Sequence, residues 1–407
     1  MTRDERGKGS SSALRMKKIG LYLEVEPHFG GTFQINQTML DALASLPSER
    51  FSVVVGYTSE RWLPYLQDHS VPSVRIPRGL WGRAIGLGWT LLGLPMGLWR
   101  TITPHFHPTA RALLREDCDL WIFPSYDLRS YQFPVPALVS IHDLMFRYEK
   151  RFPESASWWS YLNKERINKN NCRWSKGVLV DSELGRQQMV DSYGISPDRV
   201  HALPFIAPRY MHTTEVRPDF DTHYQLPAKY IFYPAQFWWH KNHKQLIEAI
   251  ARLKRELPDL KLVLSGGRQN AYDAVVKQVQ ELGLSDDVIF SGYVPDADMP
   301  EFYRRARAMV MPTYYGPTNI PPLEAFTVAC PVAISGLYGM PEQAGGAALH
   351  FNPDSVEEIA SCIRRLWTDD QLCLELAQKG KDRAASWGQE HFNARFKQII
   401  ETVAGES

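Results

Sequence analysis

Alternation of short apolar runs with amphipathic helical patterns is the feature of this 407-residue sequence that most restricts its fold. Such alternation is typical of parallel sheets built from βαβ units, in which a helix returns the chain across one face of the sheet. The runs form two series, at 17–25, 51–57, 119–124, 137–143, 177–182 and 199–205, and at 229–235, 260–267, 287–294, 308–315 and 331–335. We therefore predict an α/β protein with two Rossmann-like, doubly wound domains and a ligand cleft between them.

The two series also set the expected domain boundaries. Residues 1–16 lack the apolar centre of a signal peptide, and we expect them to form a disordered leader. An N-terminal domain then spans 17–206, a polar linker 207–226 and a C-terminal domain 227–387. The last residues, 388–407, are predicted to form a helix that can cross back to the first domain.

Composition narrows the class of protein. Hydrophobic residues make up 44% of the chain and charged residues 22%, with a formal net charge of +1, which indicates a folded globular protein rather than a nucleic-acid binder. The five cysteines are scattered and form no C-x-x-C pair, so neither a disulfide framework nor a zinc site is indicated. We expect a cytoplasmic protein with no metal site and no nucleic-acid partner.

The uncharged segment 84–99, AIGLGWTLLGLPMGLW, leaves two interpretations open. It is shorter than the ~20 residues that a membrane-spanning helix needs. It is either a buried helical hairpin or an interfacial segment that makes peripheral contact with a membrane, anchored by Trp89 and Trp99.

The stretch 233–250, YPAQFWWHKNHKQLIEAI, has the order strand, loop and helix that suits an anion. Lys241 directly precedes a helix for which Asn242 is the expected N-cap, with Gln245 as its capping partner. An ammonium group and the positive end of a helix would therefore point to one place, where a diphosphate could bind. The alternative is an ordinary solvated lysine.

A second loop of the same domain, TYYGPTNIPPLEAF, links a strand to a helix that begins with two prolines. Thr318 and Asn319 lie in the loop, and Glu324 falls in the first turn of the helix. A carboxylate at the carboxyl end of a strand can hold two vicinal hydroxyls, although a first-turn glutamate can also serve only as a partner of the helix dipole.

Two features of the first domain point to the same cleft. Gly30 and Gly31 precede a helix, where paired glycines let a ligand approach the backbone and free amides attract negative charge; a tight turn is the alternative. His142 and Asp143 end a strand, where a histidine can bind a sugar hydroxyl or manage a proton, or be structural.

Taken in order, these segments resemble the retaining glycosyltransferases of family four, which have the GT-B fold. The resemblance runs through the GG loop, SIHDL, VLVDSELGRQQMVDSYGISPDRV, HKN, SGYVPDADMPEFYRRARAMVMPTYY, PPLEAF and CPVAISGLYGMPEQAGGAALHFNP. It implies metal-independent transfer of a hexose, such as mannose, from a nucleotide diphosphate sugar, with a GDP sugar favoured over a UDP sugar and no further cofactor. The implied acceptor is a glycan or lipid-linked glycan in surface polysaccharide or O-antigen assembly.

The resemblance also implies roles for particular residues. Lys241 would stabilise the leaving diphosphate, while His142, with Asp143 beside it, would contact the transferring sugar. Glu324 would bind the ribose hydroxyls. The implied donor-binding residues are Gly30, Gly31, Gln236, Lys241, Gly292, Tyr293, Val294, Thr318, Asn319, Ile320 and Glu324.

Two departures from the family pattern qualify this interpretation. Gly316 stands where the family has the first glutamate of its Glu, seven residues, Glu motif, so that Asn319 or Thr318 takes over the sugar, or the sugar differs. Gln236 stands where many relatives have an arginine. A GT-B sugar-nucleotide epimerase, a phosphorylase and a non-catalytic sugar-nucleotide-binding relative therefore remain alternatives.

Overall fold

The computed structural model describes residues 15–27, 30–77, 84–86, 88–89, 92–316 and 318–405. Most of the predicted leader lies outside the described residues. The first lobe contains strands β1 (Lys17–Leu23), β2 (Phe51–Tyr57), β3 (Ser73–Arg75), β4 (Leu120–Phe123), β5 (Ala137–Ser140), β6 (Gly177–Val180) and β7 (Val200–Ala202). The second contains β8 (Ile231–Pro234), β9 (Leu262–Ser265), β10 (Val288–Gly292), β11 (Ala308–Met311), β12 (Val332–Ser335) and β13 (Ala348–Phe351).

Helices cover both faces of the two sheets. Those of the first lobe are Gly30–Ala44, Leu63–His69, Met96–Phe106, Pro108–Arg115, Arg129–Gln132, Met145–Tyr148, Pro153–Ala156, Trp158–Trp174 and Glu183–Tyr193. Those that follow are Phe220–Tyr224, His243–Leu253, Tyr272–Glu281, Met299–Arg305, Ile320–Thr327, Met340–Ala344, Val356–Thr368, Asp370–Ser386 and Gln389–Gly405.

Both sheets are parallel, with strand orders β3-β2-β1-β4-β5-β6-β7 and β10-β9-β8-β11-β12-β13. Each order reverses direction once, beside β1 in the first sheet and beside β8 in the second, and doubly wound sheets bind ligands at such a switch point. The loops after β1 and β5 of the first lobe therefore face the loops after β8 and β11 of the second. The predicted two-domain α/β fold is confirmed.

Every strand predicted from an apolar run is present, and two strands of the described residues escaped prediction. β3 is an edge strand whose first and last residues are exposed, so it lacks the apolar pattern of a buried strand. β13 lies at the other sheet's edge and has only its two end residues buried. Edge strands need less apolar surface, which is why the sequence pattern missed them.

The segments at the domain junction pack against the lobes. Met211 and Phe220, which fall in the expected polar linker, are buried in the core of the second lobe. The last helix, Gln389–Gly405, buries Phe392 and Phe396 in the core of the first lobe. The chain therefore connects the lobes twice, once before β8 and once before this last helix.

Candidate active site

A cavity of about 220 Å³ lies between the lobes at the carboxyl ends of the strands. Its lining combines the glycine loop of the first lobe with the loops after β8, β9, β10 and β11 of the second. Of the residues singled out in the sequence, Gly30, Gly31, Gln236, Tyr293, Val294, Ile320 and Glu324 line it. Lys241, His142, Asp143, Gly292, Thr318 and Asn319 are not part of that lining.

The glycine loop brings the first-lobe backbone close to the second lobe. Gly30 begins the helix Gly30–Ala44 with a φ of +57°, a conformation that glycine adopts without strain. A side chain at Gly31 would place its Cβ atom 3.1 Å from the Cδ1 atom of Ile320. Glycine at position 31 therefore keeps this wall of the cavity close to the start of the helix Ile320–Thr327.

Glu324 is buried at one end of the cavity and is held by two tyrosines. The hydroxyl of Tyr210 donates to Oε1 and the hydroxyl of Tyr303 donates to Oε2. Burial raises the pKa of the Glu324 carboxyl, and the two hydroxyl donors oppose that shift. Each carboxylate oxygen keeps further acceptor capacity, so a ligand with vicinal hydroxyls can bind here.

The side chain of Lys241 is half-buried outside the cavity lining. Its Nζ lies 3.3 Å from Oδ1 of Asn319, and among the described residues no carboxylate forms an ion pair with it. Burial lowers the pKa of Lys241 to about 8, and the charge of Asp143 opposes this shift. Lys241 therefore remains mostly protonated at neutral pH, with a neutral amide as its partner.

Asn242 occupies the N-cap position of the next helix, as expected, but its side chain does not cap that helix. Asn242 precedes the helix His243–Leu253, but it has a φ of +59° and its side chain makes no capping hydrogen bond. Its amide instead donates to the carbonyls of Pro312 and Pro353 at 3.0 and 2.9 Å. Asn242 therefore ties the Lys241 turn to the loops after β11 and β13.

The loop after β11 shows why position 316 carries glycine. Gly316 has a φ of +99°, and a Cβ atom there would lie 2.6 Å from the carbonyl oxygen of Thr318 and 2.7 Å from Nδ2 of Asn319. The amide of Asn319 lies beside Gly316, where it donates to the carbonyl of Tyr315 at 3.1 Å and contacts Lys241. A glutamate at 316 would require this loop to move.

His142 lies at the end of β5 with its ring half-buried. A carbonyl oxygen can only accept, so the 2.9 Å contact between Nε2 and the carbonyl of Pro124 places the proton on Nε2. Burial lowers the pKa of His142, although this hydrogen bond raises it. The ring is therefore neutral near pH 7, and Nδ1 is left as the acceptor. The exposed Asp143 accepts a hydrogen bond from the amide of Met145 at 2.9 Å.

Gln236 and Gly292 complete the predicted set. The side-chain oxygen of Gln236 accepts from Nε1 of Trp238 at 3.0 Å and from Nε2 of Gln269 at 3.3 Å, so its amide is fixed at the rim of the cavity. Gly292 ends β10 with a φ of +68°. Sequence analysis missed the two tyrosines that hold Glu324. Tyr210 lies 114 residues from Glu324 along the chain and in no quoted motif. Tyr303 lies within the segment SGYVPDADMPEFYRRARAMVMPTYY, but nothing in that segment distinguishes this tyrosine from its neighbours.

The two-lobed architecture recurs in solved structures. Anabaena Alr3699/HepE in complex with UDP and glucose has a TM-score of 0.70 at 15% identity, covering 95% of this chain and 99% of that one. WaaG, a glycosyltransferase involved in lipopolysaccharide biosynthesis, has a TM-score of 0.64 at 15% identity, covering 94% and 98%. At these identities the likeness concerns the fold alone, and the fold is GT-B.

Part of the sequence is similar to a known family. Residues 220–383 match the family model described as Glycosyl transferases group 1. The chain is 28% identical over 202 residues to O-antigen chain mannosyltransferase B of Escherichia coli, covering 48% of this chain and 52% of that protein. It is 24% identical over 273 residues to mannosylfructose-phosphate synthase of Agrobacterium fabrum, covering 62% and 60%. The matches thus span about half of the first relative and 60% of the second. Over residues 220–383 the chain is thus similar to the group 1 glycosyltransferases, in agreement with the resemblance that its motifs predicted.

The strained glycine in the loop gives a first test. We expect Gly316→Ala to lower the free energy of unfolding by about 1–3 kcal/mol, because the left-handed backbone and the close carbonyl both disfavour a side chain. Gly336→Ala is the control, since a Cβ atom there meets its nearest neighbour at 3.5 Å. Urea unfolding of both variants measures the difference. Equal stability of the two variants would contradict the loop geometry.

The pKa of Lys241 gives a second test. Lys241 loses its proton as pH rises through about 8. We therefore expect the affinity for GDP or UDP to fall by up to about tenfold per pH unit above pH 8, as one-proton linkage requires. Calorimetry at pH 7 to 10 measures this affinity. The control variant is Lys244→Met, which replaces an exposed lysine. Lys241→Met should bind weakly at every pH; a wild-type affinity independent of pH would contradict the assignment.

Proposed function

We propose that the protein is a retaining, metal-independent glycosyltransferase that moves a hexose from a nucleoside diphosphate sugar to a glycan or lipid-linked glycan. The observation that carries this proposal is the arrangement around the interlobe cavity. Glu324, a carboxylate held by two tyrosines, lies at one end. Lys241, a cation that forms no ion pair with a carboxylate among the described residues, lies beside the loop that leads into the same helix. A ribose and a diphosphate have the chemistry that fits these two groups.

In this proposal Lys241 stabilises the charge that develops on the leaving nucleoside diphosphate. A fixed cation in a partly dry site is effective because it needs no rearrangement as the charge appears. Pro321 and Pro322 lack N–H groups, so at the start of the helix the amide of Ile320 is the one that points towards the anion. Nδ1 of the neutral His142 accepts a hydrogen bond from a hydroxyl of the transferring sugar.

We infer that the hexose is mannose and that GDP carries it. Support comes from relatives named as mannosyltransferases, including those of O-antigen chains in Escherichia coli and Salmonella typhimurium. We accordingly place the reaction in the assembly of a surface polysaccharide such as O-antigen. UDP is the competing carrier, since the Anabaena structure contains UDP and glucose.

A donor screen tests this function. Purified protein is titrated with GDP-mannose, UDP-glucose and the free nucleotides, and nucleotide release is then followed with and without a mannose-terminated glycan. We expect acceptor-dependent release from GDP-mannose, lowered by at least a hundredfold in Lys241→Ala and unaffected in Lys244→Ala.

The other outcomes of this screen separate the alternatives. Interconversion of the donor without an acceptor indicates an epimerase, and release that depends on inorganic phosphate indicates a phosphorylase. Binding without turnover indicates a non-catalytic relative, which the glycine at position 316 makes a serious competitor. Each of these results would overturn the proposed transfer.

We also propose that one face of the first lobe makes peripheral contact with an anionic membrane at its cytoplasmic side. Trp99 is buried against Trp89, with 5.2 Å between ring centroids, so this part of the segment 84–99 is core. Leu92, however, is 76% exposed and Leu94 is also exposed. Residues 87, 90 and 91 lie outside the described residues.

The helix Trp158–Trp174 extends this apolar face. A shared cavity places residues 93–97 against Arg166 and Arg173 of the helix. Its first turn exposes 78% of Trp159, and its only carboxylate, Glu165, is buried. Exposed indole rings followed by basic side chains suit the interface of an anionic bilayer. Within the described part of the chain, no helix has the length and apolar character needed to cross a membrane.

Vesicle binding tests this surface. We expect the protein to sediment with vesicles rich in phosphatidylglycerol and the variant Leu94→Glu/Trp159→Glu to stay in the supernatant, because both substitutions place a charge in the interface. Leu374→Glu, at a leucine of the second lobe that is 66% exposed, is the control and should still bind. Equal sedimentation of the double variant and the wild type would refute the membrane contact.

A further inference from the structure

Asp181 is a buried carboxylate in the cleft that the proposed mechanism leaves unused. It follows β6 directly and is only 2% exposed. Oδ1 accepts from the hydroxyl of Ser182 at 3.1 Å, and Oδ2 accepts across the cleft from the hydroxyl of Thr318. Among the described residues no lysine, arginine or histidine forms an ion pair with it. A buried carboxylate without a cation is costly for folding, which favours a role in binding.

A cavity of about 210 Å³ lies directly beside this carboxylate. Asp181 and Thr318 line it together with Glu342, Arg383, Phe205 and Trp387. It shares no lining residue with the nucleotide cavity described above. The helix Ile320–Thr327 separates the two, since its Leu323 faces this cavity and its Glu324 faces the other.

The charges of the lining disfavour a phosphate ligand. Two carboxylates, Asp181 and Glu342, face one guanidinium, Arg383. Nε and Nη2 of Arg383 already donate to the carbonyls of Gln343 and Glu342, at 2.9 and 3.0 Å. A net negative lining with its guanidinium engaged repels anions. It suits a neutral ligand that brings many hydroxyl donors.

Aromatic rings complete the cavity. Nε1 of Trp387 donates to the carbonyl of Pro204 at 3.1 Å, which fixes the indole in place. Phe205 lies 5.7 Å from His142 between ring centroids, so the cavity borders the histidine assigned to the transferring sugar. Carboxylates that accept hydroxyl donors, next to flat apolar rings, are the groups that bind a pyranose.

We propose that this cavity is a carbohydrate subsite in which the carboxylate of Asp181 binds a sugar hydroxyl while Thr318 fixes its orientation. The inference rests on the proposed glycosyltransferase function. The sugar is either the terminal residue of the acceptor or the hexose of the donor. Burial raises the pKa of Asp181 to about 7, so near neutral pH it can donate as well as accept a hydrogen bond.

Saccharide binding tests the subsite without requiring turnover. The probes are methyl α-D-mannopyranoside and methyl α-D-glucopyranoside, measured by ligand-observed NMR in the presence of saturating GDP or UDP. We expect wild-type protein to bind at least one probe and Asp181→Asn to bind it about tenfold more weakly, as the loss of a charge-assisted hydrogen bond predicts. Absence of saccharide binding by the wild type, or unchanged binding by Asp181→Asn, would overturn the proposal.

Two further variants separate binding from a structural role. Thr318→Val removes the hydrogen bond across the cleft but keeps the carboxylate, so we expect a loss of threefold or less; a loss equal to that of Asp181→Asn would reduce Asp181 to a link between the lobes. Because Glu342 is exposed, the variant Glu342→Gln should fold normally. It should also weaken the binding of the saccharide, since Glu342 lines the cavity. Nucleotide affinity should be unchanged in every variant, which controls for folding.

Kinetics identify the source of the sugar. A raised KM for the acceptor with an unchanged KM for the donor assigns the subsite to the acceptor, and a raised KM for the donor assigns it to the transferred hexose. A protein that binds saccharide but transfers nothing refutes the proposed function alone. An active enzyme in which Asp181→Asn has both KM values of the wild type refutes the subsite alone.

Discussion

The proposed site depends on Lys241, a half-buried cation with which no carboxylate forms an ion pair in the part of the chain that the structure describes. Lys241 contacts the neutral amide of Asn319, and burial keeps its pKa near 8. A carboxylate in this position would raise that pKa and satisfy the ammonium internally, leaving less of its field for a ligand. An unpaired, half-buried charge lowers the stability of the folded protein, and the stability of the surrounding fold offsets this loss. Such local destabilisation is typical of functional sites.

The loop after β11 can be understood from the same constraint. Gly316 in the left-handed region lets the chain turn so that Asn319 lies beside Lys241, and Gln343 holds the backbone of Asn319 through both its amide and its carbonyl. The family pattern implied that a carboxylate is missing at position 316. The geometry explains its absence, because the amide of Asn319 occupies the space where that side chain would begin.

Sequence reasoning identified seven of the residues that line the nucleotide cavity, because strands and the loops that follow them are encoded locally. The glycine loop, Lys241 and Glu324 each follow a strand whose apolar run is unmistakable, and parallel strands bring such positions to one edge. Tyr210 could not be found in this way, because it follows no strand of the second sheet and meets Glu324 more than a hundred residues away along the chain. Asp181 does follow β6, but its hydrogen bond with Thr318 across the cleft spans 137 residues and has no signal in the sequence. The capping hydrogen bond expected of the Asn242 side chain is absent because its amide instead donates to the carbonyls of Pro312 and Pro353, which are distant along the chain.

The helix Ile320–Thr327 is where the two proposed ligands meet. One side presents Glu324 to the nucleotide cavity, and the other presents Leu323 to the cavity beside Asp181. In the loop before this helix, Thr318 contacts the first lobe and Asn319 contacts Lys241. A ligand in either cavity would therefore contact the same short helix, because this one element forms a wall of each cavity.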